Sequence, residues 1–172
     1  MREILFRGKL KSGGNLMFGC LLVYGNRCFI IPSEELIESE VESRFYWHLL
    51  EKNYEVLPET VGQFTGLTDK NGVKIFEGDI VRQTFEKTVA TAAEFWDSDE
   101  YADLYGEDVG AVVMIPSHGV CIKNPIIHRE VDGEVTQHGE RAKMYKNVCS
   151  GRCEVIGNIH DNPELLEVGG DG

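Results

Sequence analysis

The sequence predicts a mainly β fold: a small curved-sheet or barrel-like arrangement of strand meanders with one or two short helices. Apolar and polar residues alternate over short stretches such as Thr60 to Leu67, and a period of two marks a half-buried strand. Turn pairs, among them Gly25-Asn26, Asn71-Gly72 and Glu77-Gly78, close these stretches at short intervals. Between Val56 and Arg82 glycine, small and β-branched residues are dense, which suits a tightly curved sheet. The chain has 172 residues, which fits a single domain over 1–172 with an elaborated excursion at 83–148.

Taken in order, Glu3 to Arg7 places Ile4 and Phe6 on one face and reads as a short strand. Gly13-Gly14-Asn15 then turns the chain into the apolar run Met17 to Tyr24, and Cys28-Phe29-Ile30-Ile31 returns before Pro32. Ser33 followed by Glu34, Glu35 and Glu38 is the best helix start, with a hydroxyl cap and acids in the first turn. Phe45 to Leu50 fits either a strand or the end of that helix. Val56-Leu57 before Pro58 is extended, since a residue preceding proline avoids the α region. Asp69-Lys70-Asn71-Gly72 makes a hairpin turn whose Asn-Gly supplies positive φ angles. Val73 to Phe76 returns, and Asp79-Ile80-Val81 begins another strand.

Beyond Arg82 the pattern loosens. Thr88 to Trp96 reads as a strand anchored by Val89 and Phe95, and Asp97 to Asp108 as an acidic, turn-rich loop carrying Tyr101 and Tyr105. Ala111 to Ile115 and Val120-Cys121-Ile122 are buried-strand candidates. Asn124 to Lys146 is polar and weakly periodic, an exposed hairpin or long loop. Cys153 to Ile159 gives a final strand, and Asn162-Pro163 a last turn before a frayed glycine-rich end.

Composition narrows the function. With 29 acidic and 17 basic residues the formal charge is −12, which repels a phosphate backbone and disfavours a nucleic-acid reader. Arg2, Arg7, Lys9 and Lys11 form a local basic patch that reads as a solubilising surface. Five cysteines, an odd number, and an N-terminus lacking an apolar signal core point to reduced thiols in the cytoplasm of a bacterial host cell. No stretch approaches the roughly 18 apolar residues that a spanning helix needs, so no membrane partner is expected.

Three segments resemble the YopX family of phage and prophage proteins. They are Met1 to Lys9, the block from Pro58 through Leu67 to Glu77-Gly78-Asp79-Ile80-Val81, and Glu154 to Leu166. They stand in the family's order at the start, middle and end of the chain. The resemblance implies a small β-rich fold and a phage or prophage origin. It implies no activity, cofactor or catalytic residue, because the family is one of unknown function. Arg82 to Arg152 matches the family pattern poorly.

Several constellations are weighed for chemistry. Cys149-x3-Cys153 with His118-x2-Cys121 holds four soft donors, but it lacks the tight Cys-x2-Cys turn, and buried strand thiols explain it better. Asp97-x-Asp99 opens like a calcium loop, yet Tyr101 and Ala102 stand where an oxygen donor and a glycine belong. Glu59, Asp69, Glu77 and Asp79 fall near turns and are the candidates for paired-carboxylate work, each also having a structural use in its turn. The five histidines share no metal-binding spacing; His160 beside Asp161 and Asn162 is a candidate pocket residue. No nucleophile elbow, P-loop or dinucleotide fingerprint is present, and no cofactor is expected.

The favoured reading is a non-enzymatic accessory protein that binds another protein or self-associates, with Tyr101 and Tyr105 as contact candidates because tyrosine is enriched at protein-binding faces. One alternative is an acidic mimic of nucleic acid that inhibits a host DNA-binding protein. The other is a metal-dependent hydrolase using the turn carboxylates.

Overall fold

A computed structural model describes residues 3–33, 53–90 and 101–167. The chain is mainly β and divides into two compact units, Met1–Gly66 and Leu67–Gly172.

In the first unit, β1 (Phe6–Lys9), β2 (Leu16–Tyr24), β3 (Arg27–Ile31) and β4 (Glu55–Val56) are followed by the start of β5 (Gly62–Thr68). The order is β4-β3-β2-β1-β5, with antiparallel pairing throughout. Its core gathers Phe29, Ile31 and Tyr54, with Met17 and Leu22 against them. At the β3–β4 edge, Arg27 donates to both carboxylate oxygens of Glu55, and Lys11 Nζ donates to Oε1 at 3.1 Å. These bonds, Arg27's foremost, hold the Glu55 carboxyl down from 4.5 to about 2, although burial alone would raise it.

In the second unit the end of β5 and β6 (Lys74–Phe76) form a hairpin. Its turn differs from the expected pattern, since only Gly72 takes a positive φ, +82°, and Asn71 does not. Asp69 instead organises the turn with its side chain, whose Oδ1 accepts from the backbone N–H groups of Asn71 and Val73 at 2.8 and 2.9 Å. After it come β7 (Asp79–Ala90), β8 (Tyr101–Ile115), β9 (Gly119–Val131), β10 (Glu134–Arg141), β11 (Tyr145–Asn147) and β12 (Cys153–Asn158). The sheet order is β10-β9-β8-β7-β12, and β11 pairs with β9 beyond the end of β10. Ile75, Val81, Val112, Ile122 and Cys153 form its core.

Several sequence expectations change here. Among the described residues the sheets are open and do not close into a barrel. Among the residues described from Asn53 onward, the helical elements are two 3-10 turns, Pro58–Thr60 and Pro163–Leu166. The helix expected after Ser33, the ambiguous run from Phe45 and the frayed end fall outside the described residues. The first strand begins at Phe6, later than Glu3. Thr88 does not open a new strand but continues β7, and Phe95 lies outside the described residues. Tyr101 to Asp108 is no loop; it is the first half of β8, while Asp97 and Asp99 are not described. Asn124 to Lys146 resolves into the β9–β10 hairpin and β11, the hairpin turning at Asp132 and Gly133, both at positive φ. The final strand at Cys153 stands as expected.

The inner face of the β7–β9 sheet explains why β8 hides in the sequence. Its inward positions include Gly106, Asp108 and Gly110, all buried. Each is small or charged because neighbours already fill the space. A Cβ on Gly106 would lie 2.2 Å from Cζ of Phe85, and one on Gly110 2.7 Å from Cγ2 of Ile122. Between them Asp108, 1% exposed, accepts from Arg129 at 2.6 Å and from Lys146 at 2.8 and 2.9 Å. The Arg129 guanidinium also sits 5.0 Å from the centre of the Phe85 ring. Beside this group, the buried Gln83 accepts from the Cys149 N–H at 2.6 Å and donates to the Asn147 carbonyl at 3.3 Å. Every buried polar side-chain atom among the described residues has a partner, which is the condition for keeping such groups inside a sheet.

Candidate functional site

The opposite face of the same strands carries the most varied chemistry. Because side chains alternate along a strand, Arg82 and Glu86 on β7, Tyr105 and Glu107 on β8, and His128 and Glu130 on β9 project together. Register makes rows of them. Glu86, Tyr105 and Glu130 are direct cross-strand partners, and so are Thr84, Glu107, His128 and His138.

The contacts follow the rows. Nε2–H of His128 donates to Oε1 of Glu130 at 2.8 Å. The Nδ1 atoms of His128 and His138 are 2.7 Å apart, with the rings edge to face. Tyr105 meets His128 edge-on, with ring centroids 6.4 Å apart. Burial, with Glu107, Glu130 and Glu86 adding to it, raises the Tyr105 phenol above its ordinary value and keeps it neutral. Arg82 reaches Glu107 at 3.6 Å. Next to these residues runs an open groove of about 250 Å³, floored by Ile126, Ile156 and Leu165 and edged by Arg82, Glu107 and His138. Polar groups around an apolar floor make a recognition surface for a side chain or a small ligand.

The residues singled out from sequence distribute unevenly. Tyr105 is on this face. Tyr101 opens β8 and is 64% exposed. Asp69 is buried, and besides its two turn bonds its Oδ2 accepts from the Val155 N–H at 3.0 Å. Burial would raise its carboxyl, but the bonds from Val155, Val73 and Asn71 outweigh this and lower it. Asp79, 1% exposed, accepts from the Phe76 N–H at 2.7 Å. Glu77 takes a 3.4 Å bond from the Met114 N–H. Glu59 is exposed in the first unit's 3-10 turn. His160 lies exposed after β12, its N–H donating to Asn158 Oδ1 at 2.9 Å. In the second unit, Asp69, Glu77 and Asp79 therefore anchor separate backbone groups.

Sequence reasoning missed the two histidines that meet. His128 and His138 are ten residues apart, which has no meaning as a linear motif. The signal was the Asp132-Gly133 pair, a hairpin dipeptide that folds one onto the other. Two of the soft donors named from sequence make bonds to the backbone. Cys121 Sγ donates to the His118 carbonyl at 3.4 Å and Cys153 Sγ to the Ser150 carbonyl at 3.8 Å.

The comparisons with known proteins bear on this arrangement. A family model described as YopX protein matches residues 26–167. The chain belongs to the YopX family. The YopX match takes in every residue of the β7–β10 face and the Asp69 turn, and it leaves β1 and the similar segment Met1 to Lys9 outside. No curated protein matches the chain. The crystal structure of protein EF1440 from Enterococcus faecalis aligns with 97% of this YopX chain and 100% of its own, at 18% identity and a TM-score of 0.37.

Proposed function

We propose that this YopX-family chain is a non-enzymatic phage or prophage accessory protein that acts in the bacterial cytoplasm by binding another protein or a second copy of itself. The observation that carries the reading is the β7–β10 face. There Arg82, His128 and His138 line an apolar-floored groove, Tyr105 stands edge-on to His128, and the exposed Tyr101 projects from the same side of β8. Aromatic residues and arginine are the types enriched where proteins meet. The turn carboxylates point the same way: Asp69 and Asp79 are engaged with backbone N–H groups, which ties them to the fold. Nucleic acid is disfavoured as a partner by the charge of −12.

Affinity capture from host lysate, run beside size-exclusion chromatography with light scattering, tests the proposal. The expected result is a specific partner or a dimer, weakened by Tyr101→Ala together with Tyr105→Ala. A monomer at high concentration, with a capture profile that the double substitution leaves unchanged, would refute it.

A further inference from the structure

We propose that His128 and His138 form a two-imidazole site for a divalent transition-metal ion, of the class of Ni2+, Cu2+ or Zn2+, with Glu130 as the positioning residue. Three observations converge on it. The first is the approach of two Nδ1 atoms to 2.7 Å, so that the two ring nitrogens face each other. The second is the bond from His128 Nε2–H to Glu130 at 2.8 Å. A carboxylate on the far nitrogen of a histidine fixes its tautomer and leaves the near nitrogen's lone pair available, the arrangement that orients metal-ligating imidazoles. The third is the backbone of β10, which carries register shifts on both sides of the residue, between Val135 and Gln137 and between His138 and Glu140. Bulges re-aim side chains, and here they set His138 against His128.

Without metal, His138 Nδ1–H donates to His128 Nδ1, closing a chain that runs from His138 to Glu130. Metal binding exchanges that hydrogen bond for two N–metal bonds. The His138 proton leaves Nδ1 and one is taken up at Nε2, so the ring stays neutral. At N–metal lengths of about 2.0–2.1 Å the two nitrogens must open to roughly 3.4 Å in a tetrahedral shell. His138 can yield this, being exposed on a bulged strand with one neighbouring strand among those described. Glu107, next in the row, and Glu130 give the surroundings negative charge. Among the described residues no group of three or more donors is placed to hold a metal ion, so water or a partner's side chain fills the remaining positions, and the site is open.

The test is calorimetric titration of the full chain with NiCl2, and separately with CuCl2, in a non-chelating buffer. The expected order is Cu2+ tighter than Ni2+. His128→Asn and His138→Asn should each weaken binding at least about tenfold, and Glu130→Ala, which keeps both imidazoles, about tenfold. His160→Asn should leave it unchanged. Thiols are intact in every variant, so the differences report the pair. His138→Asn substitutes an exposed side chain, and its melting temperature without metal should equal that of the parent. Absence of binding, or parental affinity in either histidine variant, overturns the proposal.

Discussion

Replacing Asp108 by alanine removes the carboxylate that two cations share. The contacts are short, 2.6 Å to Arg129 and 2.8 Å to Lys146, and the side chains are 1%, 12% and 25% exposed for Asp108, Arg129 and Lys146. At an effective dielectric of about 20, each contact has a gross attraction near 6 kcal/mol, most of it offset by lost hydration. Breaking a buried pair from one side costs about 3–5 kcal/mol, because the partner remains buried and uncompensated. Two features pull toward the lower figure. Lys146 is exposed enough to turn toward water, and Arg129 keeps its bonds to the Glu107 and His128 carbonyls at 2.8 and 2.6 Å. Asp108→Ala should therefore cost about 3 kcal/mol, and Asp108→Asn, which keeps one acceptor oxygen, about 2 kcal/mol. Domains hold only about 5–15 kcal/mol in all, so either loss is easily measured by urea unfolding followed by circular dichroism. Sodium chloride at about 0.5 M should leave the loss largely intact, since buried pairs are poorly screened. A loss below about 1 kcal/mol, the range of surface pairs, or one that vanishes in salt, would refute the reasoning.

Other outcomes follow from the same contacts. Gly106→Ala drives a methyl into the Phe85 ring and should cost about 1–3 kcal/mol; adding Phe85→Ala should remove most of that increment, and equal penalties in both backgrounds would count against the contact. Glu55 has a folded value near 2 against an ordinary 4.5, so its stabilisation is complete above 4.5 and fades as pH falls toward 2. Allowing for the open side of Lys11, the loss is about 2 kcal/mol, and acid titrations of the parent and Glu55→Gln should converge at low pH. Burial raises the thiols of Cys121 and Cys153, so iodoacetamide followed by mass spectrometry should label the half-buried Cys20, Cys28 and Cys149 first. Equal labelling of Cys121 would contradict its burial.

What could be read from the sequence depended on whether inward positions were apolar. β2, β3, β5, β6 and the start of β7 show alternating or continuous apolar residues between glycine turns, and each was anticipated within a few positions. The first half of β8 was misread because Gly106, Asp108 and Gly110 occupy its inward side, while Ala111 to Ile115 stands as a strand as expected. Their reasons lie on other strands, in the Phe85 ring and the cations of Arg129 and Lys146. β9 was read at Val120 to Ile122, but its continuation was obscured by Pro125 inside the strand, tolerated where the register shifts opposite Gly110 and Asn124 takes a φ of +44°. Of the candidate face, Tyr105 was visible as an aromatic among acids. The histidine pair was not, because its marks are a turn dipeptide, Asp132-Gly133, and a bulge glycine, Gly139 at a φ of +68°, and neither gives the two histidines a ligand spacing.

Asp69 has a consequence for how the protein is made. Its Oδ2 waits for the N–H of Val155, 86 residues further along the chain, and β7 waits 70 to 79 residues for its partners in β12. Strands β7 to β10 join neighbours in sequence and can assemble as they leave the ribosome. The last strand arrives later: at about 5–20 residues per second, synthesis of the intervening chain takes on the order of ten seconds. Through that interval the β7 edge is open to any passing strand. The nascent chain is thus most exposed to mispairing after most of its sheet has formed, and release from that hazard comes with the emergence of Cys153 to Asn158.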